Sequence, residues 1–519
     1  MGIFFNPGNG SFTKDRNYEI YVDKTELLKY LNRAIGTPGN CIAVSHARRF
    51  GKSHAAGMID AYYSLGSDSA KLFKGTKIAS DPDYEKYRNK YNVIHLDISS
   101  FWDFHKKDIV EKIIEDIFKE LKMDYPEEFN ERDRISYVLI KIYEKTGIPF
   151  VIIIDEWDCV VRNSTDQDLI HQYLQFLHSL FKSEESKSFL ALGYITGIMP
   201  IKKIKDESAL NNFEEYTMLK SRPITKYYGF TEEEVKDLCK RYDMDFETTK
   251  EWYNGYLIDG MHMYNPNSVS QAMKYHDFDS YWRNTSAFGT INNFIMMNYS
   301  GLKEDVLTML SGGKVMVDTE CFQNDLAEIH SKDDALTALI HLGYLGYDAD
   351  ILSAYIPNYE VAKAFQSALK TGEWKDVAAS ISKCDTLLMA TISGNTEKVA
   401  ELIELAHDTY TSILKYNDEN SLSCVLTMAY FTAPAYYTII REMPAGKGFA
   451  DFVFLPRANA GNRPAMIVEL KYNQSAYTVI RQIKEKRYQG ALSGYESKIL
   501  LVGISYDSEK HHTCSIEEW

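Results

Sequence analysis

Residues 45–53 read Ser45-His46-Ala47-Arg48-Arg49-Phe50-Gly51-Lys52-Ser53, between an apolar run and a helical run. A loop set between a strand and a helix presents backbone N–H groups and the positive end of the helix dipole to a phosphate chain. Arg49, Phe50 and Gly51 form the end of that loop, Lys52 is placed to reach the β- and γ-phosphates of ATP, and Ser53 to ligate Mg²⁺. The usual glycine pattern breaks at Ser45 or its neighbours, where its first glycine belongs. A surface Gly-Lys-Ser without a ligand is the plain alternative.

A second signal supports the first. The apolar run from Phe150 to Ile154 ends in Asp155-Glu156, where a phosphate site needs an acid beside its Mg²⁺. Asp155 would hold the metal through water, and Glu156 would polarise the attacking water. Thr196, at the end of the next apolar strand, is placed to sense the γ-phosphate, and an ordinary strand-end threonine explains it equally well.

Near the other end of the chain, Asp451 is followed after 17 residues by Glu469-Leu470-Lys471, which closes an apolar strand beginning at Ala465. Strand alternation puts Glu469 and Lys471 on one face and Leu470 on the other. A hairpin brings Asp451 beside them, so that two carboxylates bind a hard divalent cation, Mg²⁺ or Mn²⁺, and the lysine positions water for phosphodiester hydrolysis. An isolated E-x-K triplet carries no information; the apolar strand and the following helix, with Gln482, Tyr488, Arg481, Lys484, Lys486 and Arg487, give it context. A solvated charge run is the alternative for that helix. Glu419, before the apolar segment Ser421 to Phe431, is a further metal-facing acid, and Glu442 a weaker one. No H-E-x-x-H or H-x-x-x-H pair occurs, and His511-His512 reads as a surface pair, which argues against a zinc enzyme.

These residues need elements to hold them. Cys41 to Val44, Asn92 to Leu96, Phe150 to Ile154 and Phe189 to Ile195 read as strands alternating with helices, the mark of a largely parallel sheet. Asp108 to Lys122 carries an apolar stripe and packs on that sheet as an amphipathic helix. From about residue 230 to 375 helical, tyrosine-rich segments take over, and strands return at Phe452 to Leu455, Ala465 to Leu470 and Ile499 to Ile504, with a charged helix over Ala476 to Gln489.

Composition narrows the class. The chain has 519 residues, enough for about three domains, with 45% hydrophobic, 25% charged and 13% aromatic residues, so it folds rather than remaining disordered. With 58 Lys+Arg against 73 Asp+Glu the net charge is −15, which excludes nonspecific coating of nucleic acid and requires any contact to be local. Seven scattered cysteines without a C-x-x-C pair fit a reducing compartment, the cytoplasm. No export signal is visible at the N-terminus. The uncharged stretch Asn420 to Ile440 is broken by Pro434, so no membrane span is expected.

The sequence resembles the bacterial AAA-ATPase-like proteins that end in a PD-(D/E)xK nuclease domain, a former domain-of-unknown-function family. The likeness is carried by Tyr21-Val22-Asp23-Lys24-Thr25, Arg48 to Ser53, Ile154 to Glu156, Tyr228-Gly229-Phe230-Thr231, Trp252 to Tyr256, Tyr264-Asn265-Pro266, Tyr281-Trp282, Asp451, Glu469 to Lys471 and Gln482-Ile483. His46-Ala47 stands where relatives usually have Arg-Pro, and Phe449-Ala450-Asp451 lacks the arginine that often precedes the aspartate. The resemblance implies an additional-strand P-loop ATPase core, a helical lid region and a C-terminal restriction-endonuclease-like fold.

The expected fold class is therefore α/β: a P-loop ATPase core with a parallel sheet over 1–225, a helical middle region over 226–375, and a restriction-endonuclease-like α/β domain over 376–519. The expected function is an ATP-binding, ATP-hydrolysing switch coupled to a metal-dependent nuclease, with DNA favoured over RNA as partner and a homo-oligomer compatible with it. The alternative is a nucleotide-dependent regulatory or scaffold protein whose nuclease-like domain does not cut. Arg162, Arg222 and Arg283 are the arginines weighed for action in trans on ATP.

Overall fold

The computed structural model describes residues 2–128, 134–201, 210–282, 287–297, 299–320, 322, 329–371, 379, 382–414, 425–445, 448–457, 461–485, 498–508 and 511–519. Two compact units form, one from Met1–Asp279 with Met316–Pro357, the other from Ser280–Val315 with Asn358–Trp519.

In the first unit five parallel strands lie in the order Asn92–Asp97, Phe150–Asp155, Leu190–Gly197, Cys41–Ser45, Glu214–Thr217. The inner runs are almost entirely apolar because both faces are covered. One face packs on the helix Ile109–Asp124 through Ile109, Ile113, Ile117 and Leu121, the stripe read from the sequence. The other face packs on the helix Lys52–Tyr63 and on Leu27, Leu28 and Leu31. Parallel strands bring all their C-terminal ends to one edge, so residues 45–53, Asp155-Glu156 and Thr196 meet there although they are far apart in the chain. His46 N–H donates to the Gly197 carbonyl at 3.1 Å, which ties the loop to the strand that ends beside it.

The middle region, read as helical, also holds a hairpin of Tyr256–Ile258 and Met261–Tyr264. Asp259 and Gly260, at φ 51° and 81°, make its two-residue turn, the Asp-Gly pair that such turns favour. Asp259 Oδ2 accepts from Ser221 N–H and Thr225 Oγ1, both at 2.8 Å, so the turn fixes the segment leading to Tyr228.

The second unit contains a five-stranded sheet in the order Tyr437–Ala445, Gly448–Pro456, Ala465–Tyr472, Ile499–Tyr506, His512–Glu518. Only the pair Ala465–Tyr472 and Ile499–Tyr506 is parallel. The helix Ala476–Glu485 lies on one face, burying Ile480 and Ile483 against Val453, Ile467 and Leu501. Gly503 lets that helix close down, since a Cβ there would stand 2.6 Å from the Ala476 carbonyl oxygen. Among the described residues no helix is long and apolar enough to cross a membrane, and the last residues of the uncharged stretch open the strand Tyr437–Ala445.

Candidate functional site

At the edge of the parallel sheet the loop turns around its own lysine. Lys52 Nζ donates to the carbonyls of His46 at 2.8 Å and Ala47 at 2.9 Å, and the side chain is buried. The tight curvature falls at Arg49 and Gly51, with φ 69° and 90°. A glycine is required at Gly51, which starts the helix, but not at His46, which occupies the pattern's first glycine place without a positive φ. The His46 ring turns inward, with Nε2 2.8 Å from Ser221 Oγ and its face 5.3 Å from the Tyr228 ring. Phe50 is buried against Tyr256, and its carbonyl accepts from Gly229 N–H at 2.9 Å.

Asp155 ends its strand buried, accepting from Thr196 Oγ1 and, at 3.1 Å, from Glu156 N–H. Thr196 thus stands behind Asp155 and orients it. Glu156 adopts φ 54°, an uncommon conformation for a residue with a side chain. Its carboxylate lies 2.9 Å from Arg162 Nη2, and Arg162 Nε lies 2.7 Å from Asp158 Oδ2. Asp158 Oδ2 also accepts from the N–H groups of Ile198 and Met199 at 3.2 and 2.9 Å.

Burial dominates the electrostatics of the site. Burial pulls the Lys52 ammonium below the ordinary lysine range, opposed by Glu156, Asp155 and Asp158. Burial raises the Glu156 carboxyl above its usual range, with Lys52 opposing. The hard oxygens of Ser53 and Asp155 fit a divalent cation.

A cavity of about 480 Å³ opens beside Arg49, Phe50 and Gly51. Its walls come from the segment around Tyr18 to Val22, from Tyr227, Gly229 and Phe230, and from Pro266 and Asn267. Lys24 Nζ spans two of these walls, 2.6 Å from Glu234 Oε2 and 2.7 Å from the Lys226 carbonyl oxygen. Sequence reasoning attached no chemistry to these residues. The motifs Tyr21 to Thr25, Tyr228 to Thr231 and Tyr264 to Pro266 were the available signal.

In the second unit Asp451 and Glu469 stand opposite each other on antiparallel strands. Asp451 N–H donates to Glu469 Oε2 at 3.2 Å, and Leu470 N–H donates to Asp451 Oδ2 at 2.9 Å. Lys471 Nζ lies 3.1 Å from Glu469 Oε1 and 3.9 Å from Asp451 Oδ2, so the three predicted residues converge. Glu469 is only 1% exposed, and burial raises its pKa above the carboxylate range, with Asp451 adding and Lys471 opposing. Two close carboxylate groups, one buried, form a donor set of hard oxygens that fits a divalent cation. Among the described residues no group of three or more His, Cys, Asp or Glu is placed to hold a metal, so the set rests on Asp451 and Glu469.

Glu419, Arg283, Lys486, Arg487 and Tyr488 lie outside the described residues. Arg222 Nη2 donates to the Asp259 carbonyl at 2.8 Å. The described part of the basic helix face is paired with acids: Lys484 with Glu517 at 2.5 Å and Arg481 with Glu485 at 3.6 Å. Gln482 donates to Gln474 at 3.0 Å. The expectation for His511-His512 needs correction at one position. His512 is buried, with Nε2 2.9 Å from His407 Nδ1, because Tyr506 stacks on it and closes it against the helix Thr396–Leu414; His511 remains exposed.

Residues 9–205 match the model of a predicted AAA-ATPase, the AAA-ATPase-like family, and residues 417–519 match the PD-(D/E)XK nuclease superfamily. A protein of Azotobacter chroococcum mcd 1, described as an uncharacterized protein in the vnfD 5′ region, is 24% identical over 287 residues, 54% of this chain and 53% of that protein. The chain thus spans about half the length of that relative. The solved structure of the replication initiator DnaA bound to AMPPCP and single-stranded DNA overlaps 63% of this chain and 79% of its own, with 11% identity and a TM-score of 0.26. That of the Aeropyrum pernix ORC2 protein in ADPNP–ADP complexes overlaps 71% and 100%, with 11% identity and a TM-score of 0.27. Likenesses of that size carry no argument about this chain.

Proposed function

We propose, for a chain that carries an AAA-ATPase-like domain and a PD-(D/E)XK nuclease superfamily domain, an ATP-hydrolysing switch that controls metal-dependent cleavage of DNA. The observation that carries this reading is the buried Lys52 at one sheet edge with Asp155 and Glu156, beside a cavity of about 480 Å³. Lys52 and the loop amides would hold the β- and γ-phosphates, Ser53 and Asp155 would hold Mg²⁺, and the cavity would take the nucleoside. Glu156, made more basic by burial, accepts a proton from the attacking water. Thr196 keeps the Asp155 carboxylate in place.

In the nuclease domain Asp451 and Glu469 would hold Mg²⁺ or Mn²⁺, which when bound activates water and the phosphodiester as a Lewis acid. Lys471 orients the water and stabilises charge developing on the phosphate. Glu419 is retained as an additional ligand. The parts divide by role at 1–225, 226–375 and 376–519, and the chain works in the cytoplasm, where a homo-oligomer is compatible with its domains.

A second reading, a nucleotide-dependent scaffold that binds without cutting, is favoured by Lys471, which already offsets both carboxylates at 3.1 and 3.9 Å. Incubation of the full chain with plasmid, single-stranded DNA and RNA, with Mg²⁺ or Mn²⁺ and with or without ATP, separates the two. Nucleotide-dependent DNA cutting is expected; binding without cutting under every condition selects the scaffold.

A further inference from the structure

One feature of the cavity beside the phosphate loop has no role in the chemistry above. His54 Nδ1 lies 2.8 Å from Asp15 Oδ1, and both residues line the cavity with Lys14, Arg49 and Gly51. The other carboxylate oxygen, Asp15 Oδ2, is buried and has no hydrogen-bond partner. An ionised carboxylate only accepts hydrogen bonds, and a buried acceptor left unmade is costly, so this oxygen calls for a donor.

Position along the helix indicates which donor. His54 stands three residues beyond Gly51, the residue preceding the helix Lys52–Tyr63. At about 1.5 Å per residue that is less than one helical turn from the amides that would meet the phosphates. In a nucleoside triphosphate the donors nearest the phosphates are the ribose hydroxyls, and the base amino group lies farther out. Resting on the nucleotide reading of this site, we infer that Asp15 accepts a hydrogen bond from a ribose hydroxyl, with His54 orienting it, so that the cavity selects ribonucleoside over deoxyribonucleoside triphosphates.

The test is calorimetric binding of ATP, 2′-deoxy-ATP and 3′-deoxy-ATP with Mg²⁺ to the full chain and to Asp15→Ala. The wild type should bind ATP about tenfold or more tightly than at least one deoxy analogue, the size of a lost charge-assisted hydrogen bond. Asp15→Ala should bind all three within about twofold of one another, near the wild-type affinity for that analogue. Equal wild-type affinity for the three overturns the inference and leaves the nucleotide site standing, a result that needs no variant to fold. Discrimination that survives in Asp15→Ala overturns it as well. If the wild type binds none of them, the nucleotide reading itself fails and takes the inference with it.

Discussion

Arg162 holds Glu156 at 2.9 Å with one arm of its guanidinium while its Nε binds Asp158 at 2.7 Å, so a single half-buried arginine joins the acid proposed to act on water to the acid that fixes Ile198 and Met199. An arginine so engaged within its own chain is a poor choice for action in trans. Removing it takes the paired cation from Asp158, whose side chain is 1% exposed. Arg162→Ala should destabilise the first unit by about 3 kcal/mol, the cost of breaking a buried pair by deleting one partner. Chemical denaturation followed by tryptophan fluorescence measures this, and a loss under about 1 kcal/mol would show that the pair is a surface interaction in effect.

Lys52→Ala removes the ammonium proposed to meet the phosphates, and ATP affinity should fall by about tenfold or more. Unchanged affinity in a folded variant would remove the phosphate-loop assignment. Glu156→Gln keeps shape and loses the proposed base, so it should bind ATP normally and turn it over about a hundredfold more slowly. A coupled phosphate-release assay decides the second point and calorimetry the first.

Asp451→Asn and Glu469→Gln should each abolish metal-dependent cutting, because a neutral amide replaces an anionic oxygen in a set with few hard ligands. Lys471→Ala should retain metal binding and cut slowly. The readouts are Mn²⁺ binding and plasmid nicking. A wild type that cuts nothing under any nucleotide and metal condition, with its cellular effect intact in Asp451→Asn, would pass the function to the scaffold reading.

His46 supplies a pH signature. Burial, then Lys52 and His341, lower its pKa to about 3, so the folded chain keeps the ring neutral where the unfolded chain protonates it. Stability from this group is complete above the ordinary histidine pKa of about 6.5 and is lost as pH falls toward 3, by up to about 1.4 kcal/mol per pH unit. His46→Asn should lack that component. Urea denaturation at pH 7 and pH 5 should therefore show a smaller acid loss in the variant than in the wild type, and equal losses would count against a neutral buried ring.

The strands and the convergent acids were legible because they depend on local pattern. Phe150 to Asp155 is apolar throughout and ends in acids, and Glu469 and Lys471 share a strand face by alternation alone. Asp15, His54 and Lys24 were not legible as residues of one cavity. Their meeting depends on which distant segments line the cavity, as in the contact of Lys24 with Glu234, 210 positions away. The hairpin at Asp259-Gly260 had a readable turn signal, but strands of three and four residues left little alternation around it. His512 was misplaced because two adjacent histidines near a chain end look solvated until Tyr506 and His407 are seen to enclose one of them.

The loop at residues 45–53 is held from a distance: Asp259 fixes Ser221, Ser221 meets the His46 ring, and Gly229 bonds the Phe50 carbonyl. The segment matched to the AAA-ATPase-like model stops at residue 205, before any of these three braces. A fragment trimmed to that segment would keep every loop residue and lose the supports that shape the loop. Autonomy therefore belongs to a longer stretch than sequence likeness marks out, and a trimmed fragment that failed to bind ATP would report on its missing scaffolding rather than on the loop.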